Sequence, residues 1–193
     1  MSGCSNALAT LDPSCEAIKK KGGFDKTFYI GNIADLDGAT ITAGVNEVTA
    51  FTFAAGTGFK KVTGKRLKHG ANTTLEVGDV VNMRKQNFNA VLYAKSGAER
   101  YSLEVLADAV DVFIIAESNA GTLEVFGIAN DADGKFDNYG MSPSAGEWKH
   151  GVLINDDTSV TMTFTGDMPN AALIYDESET LAVNLAVLDG QVV

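Results

Sequence analysis

Short stretches of alternating apolar and polar residues, separated by turn residues, recur along most of this chain. The sharpest is Ser159–Thr165, where Val160, Met162 and Phe164 point one way and Thr161, Thr163 and Thr165 the other, the two-residue period of a half-buried strand. Phe88–Ala94 repeats the pattern with Phe88, Ala90 and Leu92 on one face. Lys26–Gly31 and Glu47–Phe53 read as earlier strands; in the second, Val48 and Ala50 oppose Thr49, Phe51 and Phe53, so both faces carry apolar character. Leu75–Val81 follows a turn expected at Gly70-Ala71-Asn72. Val112–Ala116 and Thr122–Gly127 flank Ser118-Asn119-Ala120-Gly121 and predict a hairpin.

One segment breaks the period of two. In Ala98–Ala109 the apolar residues Tyr101, Leu103, Val105, Leu106 and Ala109 approximate a helical stripe, with Glu99, Glu104 and Asp108 outside. Thr180–Leu188 is expected to close the sheet as a last strand. Residues 128–151, with Asp131, Asp133, Gly134, Asp137, Gly140 and Gly146 spread through them, read as a long loop, longer than compact domains leave without a role. The expectation is a mainly β fold: an antiparallel β-sandwich or barrel with one flanking α-helix and a long loop. An N-terminal arm, residues 1–25, precedes a single β-rich domain, 26–193. Twenty glycines and three prolines among 193 residues fit that punctuation.

Candidate chemistry is sparse. Asn130–Asp137 offers three carboxylates, but Lys135, Phe136 and Ser142 occupy the positions where a calcium hand needs an acid, Gly and Glu. Gly58–Arg66 invites comparison with a phosphate loop; five residues separate its glycines, and Arg66 stands where Ser or Thr should ligate magnesium. His69 and His150 are the two histidines and belong to no nucleophile or metal pattern. No enzyme, metal or cofactor is therefore expected. Cys4 and Cys15 read as two reduced thiols in a reducing cytoplasm or, in an oxidising setting, as a disulfide closing the arm. Met1-Ser2-Gly3-Cys4 lacks the basic and apolar stretches that lipid attachment needs before the cysteine. The longest apolar run is strand-sized, so no membrane span is expected. Trp148, the sole tryptophan, is expected to anchor the long loop to the core or to sit in a subunit contact.

Charge supplies the functional lead. Residues 1–100 hold thirteen of the fifteen Lys and Arg against nine acids and net +4; residues 101–193 hold two against sixteen and net −14. Complementary patches on one subunit steer copies head to tail. Lys60, Lys61, Lys65, Arg66 and Lys68 form the basic surface expected to meet an acidic surface from the second half of a neighbour. A net charge of −10 argues against tight DNA binding, though an acidic wall would let DNA slide past. Lys19–Lys21 reads as a solvated arm.

The order of helix 98–109, apolar strand 111–117, turn 119–121, strand 123–127, Gly-rich loop ending near Gly151 and strand 160–166 resembles tailed-bacteriophage virion proteins, most of all tail tube subunits. Lys20–Phe24 leading into Tyr29-Ile30-Gly31 is similar in the same way. The resemblance covers roughly the C-terminal half and rests on strand, turn and glycine patterns. It implies a structural subunit assembled in the host cytoplasm into stacked, hexameric rings of the virion. Its partners would be copies of itself and other virion proteins, with DNA as non-specific cargo in the lumen. Two rivals lack chemistry equally: a capsid decoration protein, and a carbohydrate-binding adhesion sandwich displaying Tyr93, Tyr139 and Trp148.

Overall fold

The computed structural model describes residues 23–42, 46–65, 68–78, 82–93, 96–130, 136–137, 139–149 and 159–193. The cysteines, Lys19–Lys21, Arg66, His150 and most of the acidic Asn130–Asp137 stretch lie outside them. The strands are β1 (Phe24–Asn32), β2 (Leu36–Thr42), β3 (Glu47–Phe53), β4 (Lys60–Thr63), β5 (Gly70–Glu76) and β6 (Met83–Leu92). Helix α1 (Gly97–Ala107) follows, then β7 (Val112–Ser118), β8 (Leu123–Phe126), β9 (Ala129–Asn130), β10 (Phe136–Asp137), β11 (Ser142–Lys149), β12 (Ser159–Met168), β13 (Leu173–Tyr175) and α2 (Leu181–Gly190). The expected mainly β, sandwich-like class holds. A seven-stranded sheet, β2-β3-β13-β8-β7-β1-β4, packs on a four-stranded sheet, β11-β12-β6-β5, while β9 and β10 form a small ribbon.

Among the described residues every strand pairing is antiparallel except β13 with β3, and the isolated bridge between Phe59 and Val192 is also parallel. The large sheet is buried on both faces, which explains the near-continuous apolar run Val112-Phe113-Ile114-Ile115-Ala116 in central β7. Phe28, Ile30, Val112, Ile114 and Ala116 face the small sheet and meet Phe88, Leu92, Val160, Met162 and Phe164 there. Tyr29, Phe113, Ile115 and Val125 face the other way, into a second core closed by Leu188 and by half-buried Leu181 and Leu185 of α2. Close approach matters at Gly31, where a Cβ would lie 2.3 Å from the Phe113 ring.

Four expectations change. Thr180–Leu188 is helix, not strand: Leu181, Leu185 and Leu188 fall at i, i+4 and i+7, and buried Asn184 donates to the Asp176 carbonyl at 2.8 Å. The long loop contains β11, paired with β12 from Ser142 to Lys149. Gly70–Asn72 lies within β5 rather than in a turn. In β3 the pairing slips between Thr40 and Ile41 of β2, so that Val48 and Ala50 oppose adjacent residues. That bulge turns Phe51 and Phe53 to the side of Val48, into one core. The α1 stripe also divides: Leu103 is buried and Leu106 half-buried, whereas Tyr101 and Val105 face solvent. A capping box, Ser96 with Glu99, starts α1.

Candidate assembly surfaces

The predicted basic residues do not stand as one free patch. Strand β4 is an edge of the large sheet, and the end of α2 folds back over it. The Phe59 N–H donates to the Gln191 carbonyl at 2.9 Å, and the Val193 N–H to the Phe59 carbonyl at 3.1 Å. Lys60 Nζ donates to the Val193 main-chain oxygen at 3.0 Å. Lys61 Nζ lies 2.6 Å from Asp189, whose carboxylate also accepts from the Tyr29 hydroxyl at 2.7 Å. The Lys61 hydrogen bond, then that of Tyr29, holds the Asp189 carboxyl below its ordinary range. Burial, followed by the same hydrogen bond, pushes the Tyr29 phenol upward. Lys60 and Lys61 thus find partners within the chain, one of them an acid of the second half. The other cations lie farther on: Lys65 sits over the Tyr93 ring at 5.9 Å, and Lys68 is exposed.

Strand β4 belongs to the large sheet and β5 to the small one, and His69, just before β5, pins the two together. It is 2 % exposed, its Nδ1 accepts from the Val91 N–H at 3.2 Å, and its ring stacks on Phe88 and meets Phe28 edge-on. Nε2 faces the Lys26 carbonyl without reaching hydrogen-bond geometry. Burial pushes its pKa below the usual histidine range, opposed by Lys26 and Asp25. This is a structural, neutral imidazole with Nδ1 unprotonated.

Trp148 does not anchor a loop to the core. It stands on β11 opposite Val160 and is 40 % exposed, because β11 is the sheet's outermost strand. The subunit-contact alternative remains for it.

The four-stranded sheet has largely exposed edge strands. Its two edges, β5 and β11, pair with nothing beyond β6 and β12 among the described residues. Its outer face is a ladder of uncharged polar side chains. Thr163 donates to Asn89 at 2.7 Å, Thr165 to Asn87 at 3.2 Å, and the Ser144 and Thr165 hydroxyls lie 2.6 Å apart. Charges at the margins are matched, Lys85 with Glu76 at 4.0 Å and Lys149 with Glu147 at 3.5 Å. The alternation of Thr161, Thr163 and Thr165 was visible in the sequence, but their Asn partners on β6 were not, because cross-strand register is a tertiary fact.

Among the described residues, no three His, Cys, Asp or Glu side chains gather as a metal site, and no helix is long and apolar enough to cross a membrane. No family model, no curated protein and no solved structure matches the chain.

Proposed function

We propose that this chain is a non-enzymatic structural subunit of a tailed-phage virion that assembles into stacked rings, hexameric by the resemblance above, forming a tail tube for DNA passage. The observation that carries the reading is the pair of open edges on the four-stranded sheet. Strands β11, β12, β6 and β5 alternate in direction, so β5 runs opposite to β11. Setting β5 of one copy beside β11 of the next therefore continues the antiparallel ladder, and a heterologous contact of this kind closes into a ring when its rotation divides the circle. Unpaired edges attract further strands unless they are blunted. Pro143 and the irregular pairing between Pro143 and Ala145 blunt only the start of β11, leaving 145–149 regularly paired on its inner side. The polar, charge-matched outer face supports passage of a polyanion, since it offers phosphate few unpaired cations.

Negative-stain electron microscopy with light scattering over a range of concentrations tests this reading. Hollow rings or tubes are expected. A monomer at all concentrations would overturn it; a stable trimer would favour the decoration protein. Proline scanning of β5 sharpens the test. Adjacent N–H groups alternate in direction along a strand, so either Thr73→Pro or Thr74→Pro leaves the bonds to β6 intact while removing an outward donor. That variant should stay folded and fail to close rings.

A further inference from the structure

Helix α1 ends in an electrostatic conflict. The C-terminal pole of a helix is negative and favours cations, yet α1 has no basic residue in its last turn. It carries Glu104 and the C-cap Asp108 there instead, and exposed Asp111 follows with φ of 53°. Beside these acids, Val105 and Val110 are 53 % and 65 % exposed. This stretch thus exposes apolar and acidic side chains together, and no ion pair is found for these acids among the described residues.

Lysines stand at the opposite end of the molecule, with Asp25 and Glu117 near them. Phe24 of β1 pairs with Ser118 and bonds to His69, whereas Asn32 pairs with Val112. Residues next to His69 therefore lie at one end of the strands. Lys68 is there, as are Lys65, bonded through its N–H to the Val91 carbonyl, and Tyr93, 36 % exposed. Val112, reached from α1 through Asp111, lies at the other end, roughly 20 Å away along a seven-residue strand. One end offers two cations with an aromatic ring, and the other offers acids with apolar side chains and a negative helix pole.

Resting on the self-assembly reading, we propose that the α1 C-terminal surface (Val105, Asp108, Val110, Asp111) docks on Lys65, Lys68 and Tyr93 of a second copy. This contact runs along the strand direction, whereas the β5–β11 contact runs across it, so the two together would join subunits within rings and rings to one another. Complementary charge sets register, and a second copy's ammonium groups supply the cations that the α1 pole lacks.

Charge exchange tests the contact. Lys68→Glu, Asp108→Lys and the double variant are compared with the unaltered chain by light scattering and sedimentation against protein and salt concentration, with circular dichroism as the check on folding. Each single reversal should raise the concentration for half-assembly roughly tenfold, and the double variant should recover most of it. Asp108→Lys places a cation at the helix pole and favours the folded subunit, so its loss of assembly would not reflect unfolding. Single reversals that assemble like the unaltered chain, or a double variant without recovery, would overturn the contact while leaving ring formation standing. Failure of the unaltered chain to associate would overturn both readings.

Discussion

The two sheets of this protein differ in what they leave uncovered. The seven-stranded sheet is packed on both faces, and the fold-back of residues 191–193 covers part of its β4 edge. The four-stranded sheet is packed on one face, with a polar ladder on the other and, among the described residues, two open edges. Antiparallel sheets commonly keep one face in water; here the larger sheet departs from that habit and the smaller keeps it. The larger sheet organises the core, and the smaller has backbone and side chains available to other molecules.

Core truncation breaks the comparison most strongly. Phe113 is fully buried and packs against Phe51, Phe53 and Phe59. Phe113→Ala should cost about 3–5 kcal/mol in urea unfolding, whereas Thr163→Ala on the polar ladder should stay within about 1 kcal/mol. Equal losses would contradict the division of roles. Asn184→Ala, which strips the buried link between α2 and the Asp176 carbonyl, is expected to cost about 1–2 kcal/mol.

His69 joins the two sheets and should make their union sensitive to acid. Its folded pKa lies below the ordinary 6.5, so the unfolded chain binds more protons as pH falls. Its contribution is complete above that value and is lost on going below it. Half-buried Glu124 acts oppositely: burial raises its carboxyl above the ordinary 4.5, giving stability present in acid and lost as pH rises through the folded value. His69→Asn keeps an acceptor for the Val91 N–H but does not titrate. The difference between the two unfolding profiles across pH 5–7 isolates the histidine, and parallel profiles would remove it as the acid-sensitive joint. The smallest effect is expected at the margin of the large sheet, where Lys61→Ala breaks an exposed ion pair with Asp189 and should cost less than about 1 kcal/mol.

Strands with one solvated face were legible because alternation records burial directly: Val160, Met162 and Phe164 lie inward as their spacing demanded. The β7–β8 hairpin followed from its Asn and Gly turn, and α1 from its stripe and acids. Each misread element has a physical cause of its own. Helix α2 is apolar on most sides, and Leu-Ala-Val-Asn-Leu-Ala-Val-Leu carries a strand's composition as readily as a helix's. Strand β11 is exposed and rich in Ser, Gly and Pro, so it reads as loop until β12 supplies its hydrogen bonds. The bulge in β3 reverses the phase of Phe51 and Phe53 relative to Val48, which no periodicity count anticipates.

The candidate surfaces divide in the same way. Charge asymmetry along the chain is a property of sequence and raised the expectation of head-to-tail contact. Which cations meet acids of their own chain depended on α2 bringing Asp189 to Lys61 and Tyr29. By itself the sequence determined the β class, the amphipathic strands and the uneven charge, because these follow from local pattern and composition. Only the tertiary structure decided which edges stay open, which lysines are already matched, and which end of the subunit each charge occupies. Those outcomes depend on register and chain crossing, which bring together residues far apart in the chain.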